Sequence, residues 1–448
     1  MRGLGVRVPW SAPLFPPTPY GKTSDTLAPM SAVERSYAEQ LDREDPLAHF
    51  RERFYIADPE VCYLDGNSLG RLPLHTIDVI NELMVKEWGG EVVDGWHHWL
   101  DESQSTGDLI GRVALGAAAG QVLATDTTSV NFYQLATAAI KARPGRTTVI
   151  TDESNFPTDR YILQGLAKEH NLNLVVIPNS DDELITSERL KPFLNDEVAL
   201  VTFQVVQYRA GARNNVRELT ELIHTYGAIA LWDASHSVGS VAMNYDADGV
   251  DISVGCTYKY GNAGPGAPGW LYVSKKMQSE LQVPIQGWFA QANQFGMGPT
   301  FDRADGIKGF QIATPPIFGL RSIQSSFGMM EEAGIAAIEA KCATGTEMMI
   351  ALFDAWLREL GFELGTPRDP ARRGGHVSLL HPDAFQISVA MRTLAKVIPD
   401  FRNPNAIRLA ISPLPTSYVE VWDGFARLRD LVASGEFTKV STSGAKVL

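Results

Sequence analysis

Two stretches decide how this chain folds: Ala228-Ile-Ala-Leu-Trp232-Asp233-Ala-Ser-His236 and Val250-Asp-Ile-Ser-Val254-Gly255-Cys-Thr-Tyr258-Lys259-Tyr260. Each is a short apolar, β-prone run that gives way to small and polar residues, the pattern of a buried strand running out into a loop. Two such strands side by side would deliver Asp233, His236, Tyr258 and Lys259 to one sheet edge.

Working outward, the same rhythm repeats from about Gly107 to Leu281. Strands are expected at Val149 to Thr151, Leu174 to Ile177 and Ala199 to Gln204. Helices are expected at Gly107 to Ala119, Phe132 to Lys141, Asp159 to Glu169 and Val216 to Tyr226. Such alternation implies an α/β fold, a mostly parallel sheet with helices on both faces, and ligands in such sheets bind beyond the carboxyl ends of the strands. Before this region, the spacing predicts a helix over Ser31 to Phe50, a strand at Val61 to Leu64, a turn-rich loop at Asp65-Gly-Asn67-Ser-Leu-Gly70 and a helix from Pro73 to Trp88. After it, one long helical pattern runs from Ile317 through Leu360 and shorter elements follow, as in a smaller α+β domain. The expected division is a disordered, proline-rich leader over 1–30, an N-terminal segment over 31–75 packing with the small domain, a large domain over 76–320 and a small one over 321–448.

Composition narrows the function. A chain of 448 residues with 44% hydrophobic and 20% charged content is an ordinary globular protein, and its net charge of -13 opposes nucleic-acid binding, for which no basic stripe exists. No apolar run approaches the ~20 residues of a membrane span. Cys62, Cys256 and Cys342 stand far apart and outside any CxxC spacing, which excludes a disulfide framework and points to a reducing cytoplasm. HExxH, Cys/His clusters and GxSxG are all missing, so neither a metal nor a serine nucleophile is expected. The Gly-rich run Gly261 to Gly266 lacks the order of a dinucleotide or P-loop motif.

An acid and a lysine 26 positions apart, each at a strand end, suit pyridoxal 5'-phosphate chemistry. A lysine bonds covalently to the cofactor aldehyde, and an aspartate keeps the pyridine nitrogen protonated so that the ring accepts electrons. Taken alone, Asp233 would more often be a helix cap; Lys259 gives it weight.

Several segments in one order strengthen this reading. Tyr63-Leu-Asp-Gly-Asn67-Ser-Leu-Gly70, Asn155-Phe156-Pro-Thr-Asp159, Asp233-Ala-Ser-His236-Ser-Val-Gly239, Gly255-Cys-Thr-Tyr258-Lys259-Tyr260, Gly287-Trp288-Phe289 and Ile407-Arg408 through Pro413-Leu414 resemble the kynureninase family, a branch of the class V aminotransferase superfamily. The resemblance covers most of the chain after the leader. It implies a fold type I enzyme with a seven-stranded sheet, acting as a homodimer with shared active sites. Lys259, Tyr258 and Asp233 are the catalytic candidates, with Tyr258 as proton donor. Thr128, Ser129, Phe156, Asp159, Asp233, His236, Tyr258 and Lys259 would hold the cofactor, Thr128 and Ser129 taking its phosphate at a helix N-terminus. Trp288 and Thr314 match positions that reach the phosphate from the neighbouring subunit. Arg408 would clamp the substrate's α-carboxylate through its planar fork, with Asn67 and His97 also on the substrate.

Two positions depart from the family pattern. Ala290-Gln291 stands where Gly-His is usual, and Pro413-Leu414-Pro415 where Pro-Leu-Tyr is usual. The implied reaction is hydrolytic cleavage of the Cβ–Cγ bond of L-kynurenine or 3-hydroxykynurenine. The departures leave open a related enzyme of secondary metabolism, performing C–S β-elimination or decarboxylative oxidative deamination on a cysteine conjugate as in lincosamide-type tailoring, and a non-enzymatic descendant of the fold.

Overall fold

The computed structural model describes residues 33–179 and 182–443; the leader expected over 1–30 lies outside them. The first strand is β1 (Cys62–Tyr63), and the chain then builds a seven-stranded sheet from β2 (Val122–Ala124), β3 (Thr148–Asp152), β4 (Asn173–Ile177), β5 (Val198–Gln204), β6 (Ile229–Asp233), β7 (Ile252–Gly255) and β8 (Trp270–Val273). Their order across the sheet is β2-β8-β7-β6-β5-β3-β4, and only β8 runs antiparallel to its neighbours. Every residue of β5, β6 and β7 is buried, as expected where helices cover both faces of a parallel sheet. The sheet is therefore the mostly parallel, helix-flanked α/β layer that the alternation implied.

A four-stranded antiparallel sheet follows, built from β9 (Glu363–Leu364), β10 (His376–Leu380), β12 (Asp400–Arg402) and β13 (Ala406–Ala410) in the order β12-β13-β10-β9. β11 (Val397–Ile398) pairs in parallel with β1, tying the N-terminal segment to this smaller layer. Ala38, Cys62 and Leu64 join its apolar core, whereas Leu47, Phe50 and Phe54 join the core of the large sheet.

Several helices differ from the spacing argument: the one expected over Gly107 to Ala119 starts at Glu102 and passes into a π turn over Gly111–Leu115, and three others differ for a local reason. The first stops at Glu44 instead of Phe50, because Pro46 forces Asp45 into an extended conformation (φ -70°, ψ 113°) and a 3₁₀ turn, Ala48–Arg53, follows. The long pattern from Ile317 divides at Gly334 (φ 77°) into helices Ile317–Ala333 and Ile335–Leu352. Leu320, Ile323 and Phe327 of the first lie in the large core, while Met348, Met349 and Leu352 of the second lie in the small one. The helix expected over Phe132 to Lys141 begins at Thr128, capped by the Thr127 hydroxyl, which accepts from Val130 N at 3.3 Å.

Where the first helix breaks, Asp45 meets Lys341 at 2.6 Å, and both side chains are nearly buried (2% and 4% exposed). Removing one partner of such a pair strands the other charge away from water. Lys341→Ala should therefore lower unfolding free energy by about 3–5 kcal/mol, read by urea denaturation.

A second buried charge lies at the end of β3. Burial raises the pKa of Asp152 to about 6, despite a hydrogen bond from Gln207 Nε2 at 3.0 Å. A carboxyl whose folded pKa lies above its unfolded value favours the folded state when protonated, and that contribution is lost as pH rises through the interval. From the ordinary 3.8 to about 6 the loss is worth roughly 3 kcal/mol. Asp152→Asn should thus gain stability relative to the parent by about that amount between pH 4 and pH 7, measured by denaturation at each pH.

Candidate active site

β6 and β7 are adjacent and parallel, with Asp233 opposite Val254, so the loops after them leave the sheet side by side. Asp233 is buried and fixed by Ser235 N, which donates to Oδ1 at 2.8 Å. The helix Pro157–His170, which starts just after β3, presents Asp159 to it from its first turn. Burial and then the Asp233 carboxylate push the pKa of Asp159 well above the ordinary range. Its Oδ2 has no hydrogen-bond partner among the described residues.

Lys259 Nζ lies 3.3 Å from Nδ1 and 3.4 Å from Nε2 of His236, near-equal distances that put the amine over the imidazole face. It is also 5.8 Å from the ring centre of Phe156, which packs edge-on against Tyr208. Burial lowers the lysine pKa, opposed by the nearby Cys256 and Asp233, and Arg408 lowers it further. His236 is buried between Lys259 and Arg408, and burial with these two cations holds its pKa well below 6.5, leaving a neutral ring. Tyr258 is half-buried, and Cys256 together with burial raises its phenol pKa.

Arg408, on β13, closes the other side of the site. It is 1% exposed and its donors are all engaged. Nη1 donates to the Tyr208 carbonyl and to His236 Nε2 (3.3 Å); Nη2 donates to Ser68 Oγ (3.2 Å) and pairs with Asp400. With its amide oxygen turned inward, Asn67 accepts from Nε and Nη2 at 3.3 and 3.2 Å. Burial lowers the pKa of Arg408 to about 10, so it remains cationic at neutral pH. The loop bearing Asn67 and Ser68 also reaches the lysine turn, where Gly70 N donates to the Tyr258 carbonyl at 2.8 Å. A Cβ at Gly70 would stand 2.4 Å from the Lys259 carbonyl oxygen, so only glycine fits.

Thr128 and Ser129 occupy the first turn of the helix Thr128–Lys141, whose leading N–H groups have no intrahelical acceptor. Beside them, a Cβ at Gly269 would stand 2.8 Å from Thr128 N and 3.0 Å from the Gly255 carbonyl oxygen, so this helix end abuts the loop leading to Lys259. Free N–H groups for a phosphate, a buried acid for a pyridine nitrogen and an amine over an aromatic face together fit pyridoxal 5'-phosphate.

His97, Trp288 and Thr314 lie elsewhere on the chain. They line one cavity of about 550 Å³ with Trp96, Phe289 and Phe295, and none of the residues around Lys259 borders it. Gln291, where the family has histidine, holds its own hairpin: its side-chain oxygen accepts from Asp302 N at 2.6 Å. Sequence reasoning missed Asp400, Tyr208, Ser68 and His376, whose ring lies 5.7 Å from that of His236. Asp400 was findable only through its antiparallel register with Arg408.

Comparison with known proteins agrees with this geometry. Residues 338–428 match the family model of the kynureninase C-terminal domain. The chain is 34% identical to a kynureninase of Pseudomonas fluorescens over 402 residues (88% of this chain, 94% of the relative). It is 35% identical to a kynureninase of Geobacillus thermodenitrificans over 415 residues (90% and 96%). Among solved structures, a cysteine desulfurase from Thermococcus onnurineus NA1 superposes with a TM-score of 0.72 at 18% identity, covering 88% of this chain and 98% of the other, which shows a shared fold. On identity sustained over nearly the whole length, the chain belongs to the kynureninase family of pyridoxal 5'-phosphate enzymes.

Proposed function

We propose that this protein hydrolyses the Cβ–Cγ bond of L-kynurenine or 3-hydroxykynurenine, releasing anthranilate or its hydroxy analogue with L-alanine. The observation that carries the reading is the unbroken run of contacts from Lys259 through His236 to Arg408, which sets a reactive amine one imidazole away from a carboxylate receptor. When bound, the cofactor supplies an electron sink for charge developing at Cα. The protein's own residues do the rest. Arg408 takes the α-carboxylate. Lys259, its pKa lowered, is available as a base for the Cα proton. Asp233 would keep the pyridine nitrogen of the bound cofactor protonated, and burial with the Asp233 carboxylate raises the pKa of Asp159 beside it. The raised phenol pKa of Tyr258 keeps it a proton donor to the departing alanine fragment. Thr128 and Ser129 hold phosphate.

The working unit is a homodimer in this reading, in which Trp288 and Thr314, lining a cavity apart from Lys259, would serve the partner's site. Exposed apolar side chains support it: Val85, Trp88, Val92, Val93, Phe295 and Met297 are each more than half exposed. The three free, buried cysteines favour a reducing cytoplasm.

Purified holoenzyme incubated with L-kynurenine should yield anthranilate and alanine in equal amounts by mass spectrometry, and Lys259→Ala should abolish both turnover and the absorbance of lysine-bound cofactor. Pyruvate or carbon dioxide as product would sink hydrolytic cleavage. Shared sites are tested separately by mixing inactive Lys259→Ala with inactive Trp288→Ala protein. Exchange of subunits creates mixed dimers with one intact site each, so activity should return to about a quarter of the parent's. No recovery despite exchange would place Trp288 in its own chain's site.

A further inference from the structure

The loop from Tyr63 to Arg71 touches both ends of the site, meeting Arg408 through Asn67 and Ser68 and the Tyr258 carbonyl through Gly70. Its two ends converge on one carboxylate outside the site. Glu420 Oε1 accepts from Tyr63 N at 2.8 Å and from Arg71 Nη2 at 2.8 Å, while Oε2 pairs with Arg51. Glu420 stands in the first turn of the helix Tyr418–Ala433, and its side chain is 5% exposed against 11% for Arg71. Shielding of this kind strengthens an ion pair beyond its surface value. Within the loop, the Arg71 guanidinium lies 5.1 Å from the Tyr63 ring centre, and the Tyr63 hydroxyl donates to the Leu69 carbonyl at 2.6 Å. The loop is thus closed at its neck and braced across its span.

The contact this loop makes with Arg408 is directional. Asn67 covers the Nε/Nη2 edge of the guanidinium, so the Nη1 side faces His236 and, beyond it, Lys259. If the neck opened, Asn67 and Ser68 would withdraw, and Arg408 would keep Asp400, the Tyr208 carbonyl and His236 while losing the acceptors that fix its Nε/Nη2 edge. We propose that Arg71 and Glu420 are positioning residues for substrate binding: their ion pair closes the neck of the 63–71 loop and so orients Arg408 toward the α-carboxylate. This rests on the reading of Arg408 as the carboxylate receptor.

Arg71→Gln is the informative variant, because Glu420 retains Arg51 and is not left as a bare buried charge. Measured on holoenzyme, it should raise KM for L-kynurenine and the Kd for L-alanine, followed through cofactor absorbance, on the order of tenfold each. The turnover number should stay within about threefold and the cofactor spectrum without ligand should not change. Arg71→Lys should recover part of the loss. Glu420→Gln, which keeps an acceptor for Tyr63 N, should change KM in the same direction and serves if the first variant does not fold. An unchanged KM and Kd in the variant, or a parallel fall in turnover number and cofactor binding, would overturn the proposal. Arg408→Lys run alongside separates the two ideas. If it too leaves L-alanine binding unchanged, the receptor reading fails and takes the proposal with it; if it alone weakens binding, only the role of the loop neck fails.

Discussion

Arg408 is a guanidinium with almost no contact with water, and much of the site follows from satisfying it. A buried cation of this kind needs both a counter-charge and an acceptor for every N–H, since each orphaned donor costs about 1–3 kcal/mol. Asp400 supplies the charge from the neighbouring strand, and the loop at Asn67 and Ser68, the Tyr208 carbonyl and His236 supply the remaining acceptors. These groups come from four separate parts of the chain, so holding Arg408 draws the large sheet, the small sheet and the N-terminal segment to one place. His236 is drawn in as a neutral ring between two cations, which in turn fixes where the Lys259 amine rests.

The large sheet has a different task, which is to bring chemistry to one edge without bringing water. β5, β6 and β7 are wholly buried, and their parallel pairing lines up the loops beyond their carboxyl ends. Asp159 arrives at the same edge from the first turn of the helix after β3. Burial and the Asp233 carboxylate raise its pKa.

What was legible in the sequence is what short range determines. Asp233 and Lys259 each end an apolar run, and two buried parallel strands can place such ends together whatever the rest of the chain does. Arg408 was identified by likeness, but its environment was not, because Ser68 lies 340 positions away and Asp400 is matched to it only by antiparallel register. Helix ends failed where one residue overrode periodicity, at Asp45 before Pro46 and at Gly334. The apolar spacing through Ile317 to Leu360 is continuous, yet it passes from the large core, which still holds Ile338, to the small core at Met348, Met349 and Leu352, and spacing carries no information about which core a face meets.

The two departures from the family pattern take on a different meaning once their surroundings are known. Gln291 accepts from Asp302 N and its backbone bridges Arg303, so its side chain is committed to the hairpin that carries Trp288 and Phe295. Pro415 offers its carbonyl to Arg51, the same arginine that pairs with Glu420 below the 63–71 loop. Both substitutions are thus absorbed into local scaffolding and leave Lys259, His236 and Arg408 in mutual contact. The physical case for retained chemistry therefore lies in the continuity from the lysine to the arginine, which neither departure interrupts.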